Sequence, residues 1–315
     1  MRFQSSWVGV AIVGMLSIAI IGCGGSRKPQ TEGEKTFTIG MSQCNLNEPW
    51  RKQMDTDLKA AAAKYPQIIL RVQDAQNDSQ RQRSHVEEFI AAGVDLIIIS
   101  PKETDPLTQP VADAYDAGIP VIVIDRGVRG DKYTTFIGAD NVKIGRAAAE
   151  WIASKIDEDG KIVELKGLMT SDPGQDRHKG FREGLGNKGE IIAEADTQWM
   201  QENANKEMES ALSRFSDIDV VYAHNDPGAY GAYLAAEQAG RADDILFVGI
   251  DGLPHEGQAY VKQGFLDATF LYPTGGAEAI ETALKILTGE EVPKKITLKS
   301  RIYTKENVDT GGEEI

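Results

Sequence analysis

The sequence lacks the short motifs that mark the common enzyme classes. Its 315 residues contain no GxxxxGK[ST] phosphate loop, no GxSxG nucleophile elbow and no GxGxxG after the first predicted strand. Pairs of acidic residues occur, but none lies near a plausible nucleophile in the sequence. No two of the histidines have the HxH or HExxH spacing of metal ligands: His85, His178, His224 and His255. We therefore predict that the protein is not an enzyme, needs no cofactor and has no metal site.

Positive charge is also scarce. The chain has 34 Lys and Arg against 48 Asp and Glu, a net charge of −14. Residues 1–22 contain only one charged side chain, Arg2, so the chain without them carries −14 − 1 = −15. Such an acidic surface argues against binding to nucleic acid or to anionic lipid headgroups.

The hydrophobic run near the N-terminus, Trp7–Ile21, is shorter than the roughly 20 apolar residues that span a membrane. It matches the apolar region of a secretory signal peptide and ends at Gly22-Cys23. The run Ile20-Ile21-Gly22-Cys23 resembles the lipobox of bacterial lipoproteins, whose cysteine is acylated and becomes the new N-terminus. This predicts a signal peptide over 1–22, a lipid anchor at Cys23 and a flexible polar tether over 23–35. A plain signal peptide and an uncleaved anchor are the alternatives.

Only two cysteines are present, Cys23 and Cys44. With Cys23 acylated, no intramolecular disulfide can form. Cys44 follows a predicted strand, and no histidine with an Asn or Asp orienter stands out as its partner. A small buried thiol is therefore favoured over a nucleophile.

From Thr36 onward, short apolar runs alternate with segments of helical periodicity, which predicts βαβ units, parallel sheets and right-handed crossovers. The predicted strands are Phe37–Ser42, Ile68–Asp74, Leu96–Ser100, one around Val123, Thr134–Ile137, Lys161–Lys166, Ile191–Asp196, Val220–Ala223, Ile245–Ile250, Leu266–Leu271 and an extended piece over Lys295–Tyr303. The predicted helices are Trp50–Lys64, Gln80–Ala92, Pro106–Ala117, Lys143–Lys155, Asp176–Leu185, Ala204–Arg214, Pro227–Ala239, His255–Gln263 and Gly276–Leu287. The alternation restarts near Asp140, so we expect an α/β fold of two similar lobes.

Three of the predicted buried strands end in hydrogen-bonding side chains. The run from Pro120 to Ile124 delivers Asp125 and Arg126, the second strand ends at Asn225 and Asp226, and the third at Asp251. In open α/β sheets, ligands bind beyond the carboxyl ends of the strands. Carboxylates, amides and guanidinium groups gathered there suit a polyhydroxylated solute. The pattern predicts a two-lobed sugar-binding protein.

Each candidate also has a purely structural explanation. Asp125 and Arg126 could pair with each other, but adjacent residues at a strand end point in different directions, which favours ligand contact. Asp226 precedes Pro227 and is predicted to be the N-cap of the next helix, which leaves Asn225 for the pocket. Asp251 suits a cap or a ligand contact equally. Three aromatics near strand or loop ends could stack on a sugar or belong to the core: Trp50, Trp199 and Tyr272.

The sequence resembles the periplasmic sugar-binding proteins of ABC importers, of the ribose-binding type, over essentially everything after residue 36. The resemblance is carried by IGMSQ at 39–43, VIDRG at 123–127, IGADN at 137–141, VELKG at 163–167, DRHKGF at 176–181, YAHND at 222–226 and GIDG at 249–252. Within that family it is most similar to the galactofuranose-binding branch, through SQ at 42–43, Trp50-Arg51 and YAHND.

The resemblance implies two Rossmann-like lobes with parallel sheets joined by a three-stranded hinge, the type I periplasmic binding protein fold. The hinge crossings would lie near Asp140, Leu271–Tyr272 and Ser300. The lobes would then be 36–139 plus 272–299 and 140–271 plus 300–315. Ligand contacts are implied for Ser42, Trp50, Arg51, Asp125, Arg126, Arg177, Asn225 and Asp251, with Trp199 as the aromatic of the second lobe. Without the resemblance, Arg177 would pass for a solvated helix residue.

Two departures leave the sugar open. The loop Asn45–Pro49 differs from the small Ser- and Gly-rich sequence of the galactofuranose branch. At the second hinge, where ribose binders place a glutamine, the run is Leu271-Tyr272-Pro273-Thr274. A pentose, a hexose or a small polyol is expected. The implied role is a monomeric lipoprotein at the periplasmic face or cell envelope that delivers this solute to ABC permease subunits. Signalling to a chemoreceptor or sensor kinase is the alternative.

Overall fold

The computed structural model of the protein describes residues 35–315. The predicted signal peptide over 1–22, the acylation at Cys23 and the tether as far as residue 34 lie outside the described residues. Within the described range, none of the helices has both the length and the apolar character needed to cross a membrane.

Strands and helices alternate along the chain, as the periodicity predicts. The strands are β1 (Phe37–Gln43), β2 (Ile68–Asp74), β3 (Leu96–Ser100), β4 (Val121–Ile124), β5 (Thr135–Ala139), β6 (Lys161–Lys166), β7 (Glu190–Asp196), β8 (Val220–Ala223), β9 (Leu246–Asp251), β10 (Ala268–Leu271), β11 (Lys295–Leu298), β12 (Arg301–Thr304) and β13 (Glu313–Glu314). The helices are α1 (Pro49–Ala62), α2 (Ser79–Ala91), α3 (Thr104–Asp116), α4 (Asn141–Ala153), α5 (Asp172–Leu185), α6 (Gln201–Arg214), α7 (Asp226–Gln238), α8 (Gly257–Gln263) and α9 (Gly276–Leu287).

Two sheets form the two lobes. The first has the strand order β11-β5-β4-β3-β1-β2, and every described pair in it is parallel. The second has the order β13-β12-β10-β9-β8-β6-β7 and is parallel except where β12 pairs with β10 and β13. The α/β prediction with two lobes and mostly parallel sheets is confirmed.

The central strand β4 shows why the first sheet is buried on both faces. Val121 and Val123 pack in a cluster with Phe89 of α2, whereas Ile122 and Ile124 pack on the opposite face. Successive side chains of a strand point to opposite faces, so four apolar residues in a row cover both. All four are at most 1% exposed.

Some predicted boundaries are wrong. The single extended piece predicted over Lys295–Tyr303 is two strands of different sheets, β11 and β12. Helix α5 begins at Asp172, four residues before the predicted start, because Pro173 fits the first turn of a helix, where its missing N–H costs nothing. Helix α3 likewise begins two residues early, at Thr104.

Candidate functional site

A cavity lies where the polar strand ends of both sheets meet. Its empty volume is about 310 Å³, including the part open to solvent, at the small end of the ~300–1,000 Å³ typical of ligand pockets. It is lined by Glu48, Trp50, Arg51, Asp125, Arg126, Pro173, Arg177, Trp199, Asn225, Asp251 and Tyr272.

Nine of the ten residues predicted to bind ligand line this cavity. Ser42 does not: its side chain is fully buried, and its hydroxyl lies 3.2 Å from Nδ1 of His85 on α2. Ser42 is thus the one predicted ligand contact that does not line the cavity, and its contact with a solute stays a prediction. The lining residues Glu48 and Pro173 were missed, since an acid or a proline beside a helix start is usually only part of the cap.

On the wall formed by the first sheet, Asp125 is paired with Arg51 more closely than with its neighbour Arg126. Its Oδ2 atom accepts hydrogen bonds from Arg51 Nη1 at 2.6 Å and from Ser100 Oγ at 3.1 Å, whereas Arg126 Nε is 3.8 Å away. Burial alone would raise the pKa of Asp125, but Arg51 and Arg126 outweigh it and hold that pKa below its usual value. Asp125 is therefore an ionised acceptor.

Arg126 keeps hydrogen-bond donors available. The side chain is 2% exposed, and its Nη1 donates to the carbonyl oxygen of Lys102 at 2.9 Å. The Nε atom of Arg126 is buried and has no hydrogen-bond partner among the described residues. A guanidinium has five N–H donors, so a polar solute in the cavity could accept from those left over.

On the facing wall, Arg177 is buried rather than solvated. It is 3% exposed, and its Nε donates to Asn141 Oδ1 at 2.9 Å. Its Nη1 donates to the carbonyl oxygen of His224 and lies 3.9 Å from Oδ1 of Asp251. The helix start at Asp172 and the close approach of α4 fix this geometry. A Cβ on Gly145 of α4 would overlap the backbone of Arg177.

Asn225 takes both of the roles that were predicted for Asn225 and Asp226 separately. Asn225 is the N-cap of α7, because its Oδ1 accepts from the backbone N–H of Gly228 at 3.1 Å. It also lines the cavity, and its Nδ2 donates to the carbonyl oxygen of Trp199 at 3.0 Å. Asp226 is fully buried and accepts from Thr269 Oγ1 at 2.6 Å and from the N–H of Gly252 at 2.8 Å. The prediction of Asp226 as the cap was wrong.

Two of the three candidate aromatics, far apart in sequence, are linked to each other and to the strand end that carries Asp125. Trp50 Nε1 donates to the carbonyl oxygen of Tyr272 at 2.8 Å, and the Tyr272 hydroxyl donates to the carbonyl oxygen of Asp125 at 3.2 Å. The third, Trp199, faces two guanidinium groups: Arg126 lies 5.7 Å and Arg177 5.3 Å from its ring centre. These are distances at which cations are attracted to an indole face.

Backbone strain is concentrated at the cavity. Asp125, Trp199 and Asp251 have φ values of 65°, 69° and 136°, and all three line it. Residues other than glycine adopt such angles at a cost of about 1–3 kcal/mol each, and they cluster at ligand sites, where the strained backbone aims side chains.

Residues 39–291 match the family model described as a periplasmic binding protein domain. The chain belongs to this family.

As a periplasmic binding protein, the chain is similar to curated relatives along nearly its whole described length. It is 34% identical to the ribose import binding protein of Bacillus subtilis over 88% of this chain and 90% of that protein. It is 32% identical to the galactofuranose-binding protein of Escherichia coli over 89% of this chain and 90% of that one. These relatives are binding proteins, and this periplasmic binding protein is not an enzyme.

Among solved structures, the fructose-binding periplasmic domain of a hybrid two-component system superposes with a TM-score of 0.84 at 41% identity. The match covers 87% of this chain and 92% of that one. The type I periplasmic binding protein fold and the ribose-binding-like resemblance are thereby confirmed.

A second polar cluster of this periplasmic binding protein lies behind the cavity. Glu164, His178 and Glu194 can bring one ligand atom each within 4.8 Å of one another, a set that sequence spacing does not reveal. Arg182 and Lys166 already pair with the Glu194 carboxylate. Two resident cations oppose a third by charge repulsion, so the cluster does not favour a metal ion. The absence of a metal site stays a prediction.

Proposed function

We propose that the protein captures a monosaccharide or a related polyol between its two lobes. The observation that carries the proposal is one cavity in which Arg51, Asp125 and Arg126 face Arg177 and Asp251. Guanidinium N–H groups and carboxylate oxygens together offer the donors and acceptors that adjacent hydroxyl groups need. Relatives named for ribose and for galactofuranose support this solute class.

Capture would occur by closure of the lobes. We assign 36–139 plus 272–299 to one lobe and 140–271 plus 300–315 to the other, with the chain crossing near Asp140, Leu271–Tyr272 and Ser300. Hinged domains of this kind close around a ligand when it contacts both sides. Tyr272, which stands at a crossing and bonds the backbone of Asp125, would couple the hinge to the cavity.

The closed form would deliver the solute to ABC permease subunits outside the cytoplasm. A lipid anchor at Cys23, after removal of 1–22, would keep the monomeric protein at the membrane surface. Stable attachment to a membrane requires two lipid chains or one chain with a second membrane-binding feature, and several acyl chains on Cys23 would exceed that requirement. Cys23→Ser should release the protein from the membrane fraction, and a variant that remains there would contradict the anchor.

Sensing is the second candidate, because one similar structure is the periplasmic domain of a hybrid two-component system. The same closure would then be passed to a sensor kinase. Genes beside this one separate the two roles: ATPase and permease genes support import, whereas a histidine kinase gene supports sensing.

The direct test is a thermal-shift screen against pentoses, hexoses in both ring forms and polyols. A solute at a hundred times its dissociation constant should stabilise the protein by about 2.7 kcal/mol. If no sugar or polyol raises the unfolding temperature, the proposed function is contradicted.

A further inference from the structure

A buried carboxylate stands directly behind the cavity without lining it. Glu164 lies in β6 and is fully buried. Its Oε1 atom is 2.9 Å from Nδ1 of His178 and 3.0 Å from Nε2 of His224. Since an ionised carboxylate can only accept hydrogen bonds, both of these ring nitrogens carry a proton and donate.

Both histidines adjoin Arg177. His178 follows Arg177 in α5, and the carbonyl oxygen of His224 accepts a hydrogen bond from Arg177 Nη1. Glu164 therefore joins the helix that carries Arg177 to the strand end that holds its guanidinium. All of these contacts lie within the second lobe, so lobe closure does not make or break them.

We propose that Glu164 is a positioning residue of the sugar site, which acts through His178 and His224 to hold the Arg177 guanidinium toward the cavity. The proposal rests on the proposed function, because orientation of Arg177 matters for binding only if Arg177 contacts the solute.

The charge states fit this role. Burial would raise the pKa of Glu164, but the hydrogen bonds from His178 and His224 outweigh it and lower that pKa to about 2. Burial lowers the pKa of His224, which keeps its ring neutral. The remaining His224 nitrogen, Nδ1, has no partner among the described residues, as expected for a ring whose one proton is committed to Glu164. The network is an anion that accepts hydrogen bonds from two imidazole rings, with Arg182 Nε 3.8 Å from its other oxygen.

Glu164 also has a matched control. Glu194, on the neighbouring strand β7, belongs to the same polar cluster and pairs with Arg182 and Lys166. It makes none of the described hydrogen bonds to His178 or His224. Glu194→Gln therefore removes a charge from the cluster while leaving the two histidines bound to Glu164.

The first arm of the test needs no sugar. In the purified full-length protein, the Nε–H resonance of Arg177 is assigned by its loss in Arg177→Lys, and its exchange with water is measured by NMR. Glu164→Ala should shift this resonance and speed its exchange severalfold, Glu164→Gln should lie between, and Glu194→Gln should match the parent protein. An unchanged resonance in Glu164→Ala overturns the proposal. If that variant does not fold, the comparison of Glu164→Gln with Glu194→Gln decides.

The second arm is calorimetric titration with D-ribose and D-fructose. On whichever binds, Glu164→Ala should weaken affinity about tenfold, a loss of ~1.4 kcal/mol. In an Arg177→Lys background the same change should cost nothing further, because coupled residues are non-additive. An equal loss in both backgrounds overturns the proposal. If the parent protein binds neither sugar, the resonance arm alone decides the role of Glu164, and the proposed function is judged by the thermal-shift screen.

Discussion

The guanidinium of Arg51 lies 2.6 Å from the carboxylate of Asp125, and both side chains are at most 5% exposed. The two residues come from the start of α1 and the end of β4, so the fold makes this pair. The pair holds the ionised carboxylate of Asp125 in the cavity wall, where it can accept hydrogen bonds, and it occupies the guanidinium of Arg51. Arg126, next to Asp125 in sequence, is left with free donors.

Arg51→Ala should therefore destabilise the fold. Breaking a buried ion pair leaves a charge uncompensated and typically costs about 3–5 kcal/mol. Since Ser100 and Arg126 remain near Asp125, we expect the free energy of unfolding, measured in urea, to fall by about 3 kcal/mol. Lys132→Ala breaks a half-exposed pair with Asp116 and should cost at most ~1 kcal/mol. If Arg51→Ala lowers the free energy of unfolding as little as Lys132→Ala does, the Arg51–Asp125 pair does not stabilise the fold.

Stability should fall as the pH rises toward 8, in part through Glu256. Burial, followed by the charge of Asp226, raises the pKa of Glu256 from an ordinary value of 4.5 to about 8. Between pH 4.5 and pH 8 the carboxyl group of Glu256 stays protonated in the folded protein but is ionised in the unfolded chain. Its contribution to the free energy of unfolding is therefore fully present below pH 4.5 and is lost as the pH rises to 8.

Urea unfolding of Glu256→Gln between pH 5 and 8 checks this. The variant should show a flatter pH dependence than the parent and the larger relative stability at pH 8. Glu164, whose pKa is lowered to about 2, acts with the opposite sign and only below pH 4.5, so it does not interfere. If the free energy of unfolding changes equally with pH in the variant and the parent, Glu256 is not the cause of the pH dependence.

Gly167→Ala should disturb the aromatic of the second wall. A Cβ at this position would overlap the six-membered ring of Trp199. The ring would then leave its place between Arg126 and Arg177, and we expect sugar affinity to drop about tenfold, ~1.4 kcal/mol. Tryptophan fluorescence should change as well. In a Trp151→Phe background, which removes an indole from a separate groove, that change should persist. Unaltered emission and affinity would contradict the predicted overlap.

Much of the fold is predictable because its signals are local. Buried strands such as β4 are continuous apolar runs, and the polar residues that follow them mark the sheet edge where ligands bind. The division of Lys295–Tyr303 between two sheets could not be predicted, since β11 pairs with the distant strand β5 whereas β12 pairs with β10 and β13 of the other sheet.

The site was less predictable where one residue decides the geometry. The cap of α7 falls on Asn225 rather than Asp226, because Pro227 is tolerated at either of the first two helical positions. Ser42 faces α2 although its neighbours in sequence suggested the cavity. The sequence offered one indication of Glu164, an acidic residue among the apolar residues of a predicted strand. Its two histidine partners become visible only in the fold.

The central claim is that both walls of one cavity hold the same solute, and calorimetric titration of two variants tests it most directly. The probe is the sugar with the largest thermal shift, applied to Arg126→Ala and to Arg177→Ala. Arg129→Ala, whose ion pair with Asp105 is exposed, is the control. Hydrogen bonds to charged groups are worth about 1.5–3 kcal/mol, so each cavity variant should lose tenfold or more in affinity while the control loses none. Undiminished affinity in either cavity variant would contradict a solute held between the lobes.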